Sequence, residues 1–299
     1  MVKIFSFFLF FIISLKLYAI DTKAEQAVVI DFDTNEVLFE KNSNAKVIPA
    51  SMTKIMTGYV AFDRIKNTNF INSSGWPDDN HYSTVYDLGI LSNAIIRDFP
   101  DLYTYFKMEE FTYNDITQPN RNKLLYQVQG ADGLKTGFTK ESGWGIAATA
   151  LRNDRRITVV INGTNSSRSR LNESSNLINW AFNQTSQQTL VEKDQFIKEV
   201  DVWLGSESSI NLISSQKLVS TLSFDQIQLM NSSIEYTKPI SAPIKKGDEL
   251  GKLIIDIDGK PKIEIPLIAE KDVSEINPLF KIFAAAKYLI FGRSLDEIK

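Results

Sequence analysis

Pro49-Ala50-Ser51-Met52-Thr53-Lys54-Ile55-Met56-Thr57 is the stretch around which the chain is organised. Ser51 and Lys54 are three residues apart, so a helix would make their side chains neighbours on one face. A serine hydroxyl is a weak nucleophile at its free pKa and needs an adjacent base. A lysine amine can be that base only when neutral, and burial in an apolar setting favours the neutral form. Ile55, Met56, Tyr59, Val60 and Phe62 supply apolar residues for a buried helix running to about Lys66. Pro49 is compatible with a helix start. Ser51 then lies at the helix N-terminus, where free backbone N–H groups face a developing negative charge. The spacing alone is a weak signal, because it recurs at Ser214/Lys217 with no chemistry around it.

Upstream, Ala27–Phe32 and Glu36–Glu40 read as the strands of a hairpin turning at Asp33-Thr34-Asn35. Downstream, Thr84-x-x-Asp87 resembles a capping box for a helix from Val85 to Arg97. Phe111–Ile116 reads as a strand and Gln118–Asn122 as a loop. Gly133-Leu134-Lys135-Thr136-Gly137 leads into the most legible β region. There Gly145–Leu151 and Arg156–Ile161 are apolar strands joined by the hairpin connection Arg152–Arg155. A helix follows from about Arg168 to Phe182. The Gln/Ser/Thr-rich stretch Asn183–Thr189 reads as a linker. Beyond it, short β segments (Phe196–Leu204, Gln226–Ser232, Ile254–Ile257, Ile263–Ile268) alternate with turns, and Gln216–Leu222 is the one helix-like interruption.

Composition narrows the function. A formal net charge of −3 argues against nucleic acid as a partner. The absence of cysteine excludes disulfides and a thiol nucleophile. His81 is the only histidine, so a Ser-His-Asp triad uses it or does not exist, and a multi-histidine metal site is ruled out. It lies in the polar loop Asp78–Ser83, where a structural role is expected. Asp256-Ile257-Asp258-Gly259 lacks the ligand spacing of a calcium loop and reads as a hairpin turn. Neither metal nor cofactor is expected.

Residues 1–19 read as a secretory signal: Lys3, the apolar run Ile4–Leu15, and cleavage after Leu17-Tyr18-Ala19. The run is short for a membrane span. Domain expectations follow: residues 20–185 as a catalytic-type domain, 186–275 as a β-rich domain, and 276–299 as a C-terminal helix. The apolar run Leu279–Phe291, with Lys281 and Lys287, reads either as an in-plane membrane anchor with snorkelling lysines or as a helix packed on the protein.

Ser-x-x-Lys together with Lys-Thr-Gly is the motif pair of penicillin-binding proteins and serine β-lactamases. With these motifs, the chain resembles the low-molecular-mass penicillin-binding proteins, the D-alanyl-D-alanine carboxypeptidases. The likeness is carried by the hairpin before Ser51, Ala50–Thr57, Gln118–Leu125, Asp132–Gly137, Asn172-Glu173-Ser174 with Trp180, and Ala242–Gly247. It implies an α/β (α+β) transpeptidase domain of the penicillin-binding/β-lactamase type, then a smaller all-β domain and a C-terminal helix.

It also implies roles. Ser51 would be the acylated nucleophile and Lys54 its base. Lys135, Thr136 and Gly137 would line the strand that receives the peptide, with Thr136 near its terminal carboxylate. The backbone N–H groups of Ser51 and Phe138 would form the oxyanion hole. Arg170 would meet the substrate carboxylate, a role that suits a bidentate guanidinium. The implied partners are peptidoglycan stem peptides, β-lactams as covalent inhibitors, and a membrane surface through the tail helix. The implied location is the periplasmic side of the bacterial inner membrane, reached by export.

One departure stands out. The family carries a third motif, Ser-x-Asn, between the other two. Here Ser-x-Asn occurs only at Ser174/Asn176 and Ser209/Asn211, both after Lys-Thr-Gly. A helical subdomain is therefore expected to be missing between Lys66 and Asn69. Two readings follow: a serine carboxypeptidase with impaired activity, or a degenerate family member that binds cell-wall peptide or has a structural role.

Overall fold

A computed structural model describes residues 20–57, 67–278 and 280–282. Two compact units are present. Of the described residues, one unit takes those up to Val29, those within Phe39–Ala150, and Thr158–Trp180; the other takes Ile30–Leu38, Leu151–Ile157 and those from Ala181 on.

Strands β1 (Gln26–Asp31) and β2 (Val37–Lys41) form the expected hairpin. The Ala27–Val29 run is buried on both faces, as its unbroken apolar character requires of a central strand. Ala50–Met52 is a single 3₁₀ turn that passes directly into α1 (Thr53–Thr57). The continuation of that helix to Lys66 lies outside the described residues. Helix α2 (Val85–Asp98) starts where the sequence places it: the Thr84 hydroxyl accepts from the Asp87 N–H at 3.0 Å.

Short α3 (Pro100–Tyr103) and a 3₁₀ turn precede two strands, β3 (Glu110–Tyr113) and β4 (Ile116–Pro119). One strand was expected over Phe111–Ile116. The chain instead reverses at Asn114 and Asp115, whose φ angles are +47° and +59°. Asn and Asp tolerate that left-handed region, which two-residue hairpins need. Helix α4 (Leu124–Gln127) follows, a single turn too short for a periodic signal.

Strands β5 (Ala131–Thr139), β6 (Gly143–Arg152) and β7 (Arg155–Thr164) complete a five-stranded sheet of order β2-β1-β7-β6-β5. Lys-Thr-Gly therefore lies on an edge strand. Asn153 and Asp154, both at positive φ, make the expected β6–β7 hairpin turn. Helix α5 (Ser167–Gln184) buries Leu177, Ile178 and Ala181.

The second unit is β-rich. Strands β8 (Thr185–Val191), β9 (Phe196–Trp203), β10 (Ser209–Ser214) and β11 (Leu218–Ser223) precede α6 (Phe224–Leu229). Strands β12 (Asn231–Tyr236), β13 (Ile240–Ser241), β14 (Glu249–Asp256) and β15 (Ile263–Ala269) complete it. Six of the strands form a sheet in the order β12-β14-β15-β10-β9-β13, and β8 pairs with β11. Its core is aliphatic, built on Ile210, Leu212, Leu253, Ile265 and Leu267.

Three sequence expectations change here. Asn183–Thr189 is not a linker: its first two residues end α5 and the rest opens β8. The Arg155 guanidinium holds Thr185 at 2.7 Å through both its carbonyl and its hydroxyl. Gln216–Leu222 is mostly strand, because Val219–Leu222 pair with β8. The helix lies one segment later: Ser223 and Gln226 form a reciprocal capping box, and the helix takes the first four residues, Gln226 to Leu229, of the expected strand Gln226–Ser232.

Arg155 also donates to Asp31 at 2.9 Å, and Asp31 has no exposure. Burial works against the charged carboxylate. Hydrogen bonds from the Thr34 N–H, Arg155 and Gln187 outweigh it and hold Asp31 below its ordinary pKa.

Pro278 and Phe280–Ile282 are helical, and the rest of the expected C-terminal helix, like residues 1–19, lies outside the described residues. Among the described residues, no helix is long and apolar enough to cross a membrane.

Candidate active site

The site forms where the Ala50–Met52 turn meets β5. Met52 is fully buried, which turns the helix start inward, while Ser51 stays half-buried. Two glycines let β5 approach. A Cβ at Gly137 would stand 3.0 Å from the Pro49 carbonyl oxygen and 3.3 Å from Met52 Cγ. A Cβ at Gly145, its partner across the β5–β6 ladder, would stand 2.9 Å from Met52 Cε. The glycine of Lys-Thr-Gly is thus a spacing device: it lets the edge strand lie against the turn that carries Ser51.

A cavity of about 420 Å³ opens at this junction. It is lined by Ser51 and Lys54 from the helix start, Ser74 to Pro77 from a loop, and Phe138 and Thr139 from β5. Lys54 is exposed, contrary to the apolar burial expected from the sequence, and its Nζ donates to the Ser74 carbonyl at 2.8 Å.

The cavity edge is strongly cationic. Lys135 is half-buried and donates to the Thr136 carbonyl at 3.0 Å. Its pKa is pushed down to about 8, first by burial and then by the like charges of Lys54, Arg121 and Arg170. Those three cations are therefore near enough to Lys135 to disfavour its charged form. Arg170 is 6% exposed, and burial lowers its pKa to about 10. Its guanidinium lies 5.2 Å from the Trp144 ring centre, and Trp144 packs on Phe138 at 4.2 Å. An aromatic column thus leads from the cavity mouth to Arg170.

The structure gathers Ser51, Lys54 and Phe138 at one cavity, and Gly137 sets its width. The neighbouring Lys135 and Thr136 lie on the same strand, with Arg170 behind. Neither Arg121 nor Trp144 has a role in the sequence reading. Arg121 had a readable signal in the Asn-Arg-Asn of its loop: Asn122 is buried, and its amide donates to the Gly133 carbonyl at 2.8 Å, pinning that loop to β5. His81 is buried and structural in this geometry. Its Nδ1 accepts from the Ile71 N–H at 3.1 Å and its Nε2 faces Thr53 Oγ1 at 2.9 Å.

The sequence model of the D-alanyl-D-alanine carboxypeptidase peptidase family matches residues 15–66 and 64–165. The chain belongs to this family, the low-molecular-mass penicillin-binding proteins. The C-terminal domain of penicillin-binding protein 5 matches residues 186–275. The family match comes in two pieces that meet at residues 64–66, where the Ser-x-Asn segment is expected to be missing.

Among family members, D-alanyl-D-alanine carboxypeptidase DacC of Escherichia coli K12 is 34% identical over 227 residues, which cover 75% of this chain. The chain spans 57% of that relative's length. Carboxypeptidase DacF of Bacillus subtilis 168 is 26% identical over 337 residues, 85% of this chain and 86% of its own. That alignment is longer than the 299-residue chain, so it steps over a stretch that this family member lacks. The crystal structure of penicillin-binding protein 5 from Haemophilus influenzae superposes with a TM-score of 0.68 at 25% identity, covering 86% of this chain and 99% of that one. An α/β transpeptidase-type domain with a β-rich C-terminal domain is thus the family architecture of this chain.

Proposed function

We propose that this family member is a serine-type D-alanyl-D-alanine carboxypeptidase that removes the terminal D-alanine of peptidoglycan stem peptides, working more slowly than relatives with a complete cleft. The observation that carries the reading is the cavity holding Ser51 and Lys54 against the Phe138 end of β5. In the proposed reaction Lys54, as the neutral amine, takes the Ser51 proton while Ser51 Oγ bonds to the penultimate D-alanine carbonyl carbon. The backbone N–H groups of Ser51 and Phe138 stabilise the oxyanion. The C–N bond then breaks, the proton passes to the leaving amine, and free D-alanine departs. Water hydrolyses the acyl ester in the second half.

Lys135, Thr136 and Arg170 hold the terminal carboxylate, and Arg121 adds to the field that draws it in. The cationic surroundings of Lys135 support this assignment. A β-lactam presents a strained amide to the same serine and acts as a covalent inhibitor.

The proposal includes location. The Lys3-led apolar run and small-residue cleavage site support export to the periplasmic side of the inner membrane. The apolar Leu279–Phe291 run supports peripheral attachment there.

The test is D-alanine release from a peptide ending in D-alanyl-D-alanine, measured on the purified mature chain and its Ser51→Ala variant. Release that depends on Ser51 supports the proposal. Absence of release at any enzyme concentration favours the non-catalytic reading.

A further inference from the structure

Strand β5 carries Lys135 between two glycines on the same face, because residues 133, 135 and 137 alternate to one side of a strand. At one end, Gly137 meets the turn that bears Ser51. At the other, Gly133 meets Tyr103, which is 5% exposed. A Cβ at Gly133 would stand 2.4 Å from the Tyr103 phenol oxygen and 3.0 Å from Cζ. The phenol therefore lies directly on the backbone two residues before Lys135.

The β5–β6 ladder changes register at this point. Ala131 faces Ala150 and Gly133 faces Thr149, so Asp132 is one extra residue on β5. Side chains from three directions hold this bulge. Asp132 Oδ1 accepts from the Tyr103 hydroxyl at the end of α3 and from the Thr149 hydroxyl on β6, each at 2.8 Å. Thr149 is fully buried. From the loop before α4, the buried Asn122 amide donates to the Gly133 carbonyl, and its Oδ1 accepts from the Leu124 N–H at 3.1 Å.

Register matters here because side chains alternate. A slip of one residue exchanges the two faces of a strand. Lys135 would then turn away from the serine turn and Thr136 would take its place. The two ends of β5 are anchored separately. Gly137 seats the Phe138 end on the serine turn, and the Asp132 bulge seats the Lys135 end.

We propose that Tyr103, Thr149 and Asn122 are positioning residues that lock the Asp132 bulge and so set the register in which Lys135 and Thr136 meet the substrate carboxylate. This rests on the reading of Lys135 and Thr136 as the holders of that carboxylate. Because the Phe138 end has its own anchor, loosening the lock weakens recognition of the carboxylate and spares the acylation chemistry.

The test uses the full mature chain and two probes: a peptide ending in D-alanyl-D-alanine, and an ester of the same acyl-D-alanine with a neutral phenol, which has no terminal carboxylate. Tyr103→Phe and Thr149→Val each remove one hydroxyl and keep the packing. Each lowers kcat/KM for the peptide by about 10- to 100-fold through misplacement of Lys135 and Thr136, and by less than about 3-fold for the ester. Thr149→Ser keeps the hydroxyl and keeps the peptide rate. A second readout needs no turnover. The pH dependence of Lys135 acetylation by acetic anhydride, followed by peptide mapping, reports its titration. In Tyr103→Phe that titration moves up from about 8 toward 10.5, as the lysine leaves its buried seat beside the other cations.

Equal losses for peptide and ester, or an unchanged peptide rate in both variants, overturn the lock and leave Ser51 standing as the nucleophile. If the unmutated chain turns over neither probe, the reaction itself is overturned, and the Lys135 titration decides the lock alone: unmoved in both variants, it refutes it.

Discussion

The His81 imidazole joins Thr53, two residues after the nucleophile, to Ile71 at the start of the Asn72–Pro77 loop. Because Nδ1 accepts from the Ile71 N–H, the ring proton sits on Nε2 and is donated to Thr53 Oγ1. Protonation of Nδ1 would turn that acceptor into a donor and break the link. Burial already holds the imidazole below its ordinary 6.5, with nearby Asp78 opposing the shift.

The sign of the pH effect follows. The unfolded chain binds the proton more readily than the folded one, so His81 costs nothing above about pH 6.5 and destabilises the fold as the pH falls below it. Thermal unfolding between pH 7 and 5 should show a falling midpoint that is flatter in His81→Gln. Identical slopes would show that the histidine does not carry the effect.

Gly137 sets the distance between the edge strand and the serine turn. Gly137→Ala puts a methyl 3.0 Å from the Pro49 carbonyl oxygen. Overpacking of this kind costs about 1–3 kcal/mol. The predicted outcome is a folded protein whose acylation by penicillin is slower by about 10²-fold, since the strand is displaced from Ser51. Acylation at the unmutated rate would remove the spacing role.

Lys135 makes substrate capture pH-dependent. Its pKa of about 8 reflects burial and the repulsion of Lys54, Arg121 and Arg170. In the proposed reaction the charged form holds the carboxylate, so KM should rise as pH climbs above about 8 while kcat changes less. Lys135→Arg should carry the plateau to higher pH, because a guanidinium stays charged. A KM flat to pH 10 in the unmutated chain would contradict this.

The motif-bearing elements were legible because their signals are local. Thr84 and Asp87 start α2, and Asn153-Asp154 turns β6 into β7. Elements ruled by neighbours distant in sequence were not legible. The Val219–Leu222 strand exists because β8 lies beside it, and polar β8 is a strand for the same reason. Within the site, the residue types of the two motifs pointed to Ser51, Lys54 and Lys135. The exposure of Lys54 and its bond to Ser74 were illegible because the bond runs to a backbone carbonyl of a loop distant in sequence. A backbone carbonyl has no sequence signature, and Trp76 reads as one more surface aromatic.

In the second unit, Arg155 is the cation paired with buried Asp31, which the Thr34 N–H and Gln187 also hold by hydrogen bonds. Arg155→Ala leaves a carboxylate buried and unpaired, a loss of about 3–5 kcal/mol. Urea unfolding should register it as a lower midpoint with an unchanged slope. Since Asp31 is held below its ordinary pKa, its stabilisation is full above about pH 4 and is lost as the pH falls through the folded value. A midpoint shift under about 1 kcal/mol would show that the pair is incidental.

Steady-state turnover should fall behind an intact relative by about 10²- to 10³-fold, the cost of one lost hydrogen-bonding group in such a site. Side-by-side D-alanine release with a family member that has Ser-x-Asn measures this. Equal rates would show that another segment supplies the third side of the site and that the absence of Ser-x-Asn costs nothing.

The central claim is that Ser51 is acylated. Intact-mass measurement of the purified mature chain after incubation with a fluorescent penicillin tests it, followed by peptide mapping of the adduct. The account predicts one adduct per chain on the peptide containing Ser51, absent in Ser51→Ala and slow to form in Lys54→Ala. An adduct at full yield in Ser51→Ala, or none on the unmutated chain, would contradict it.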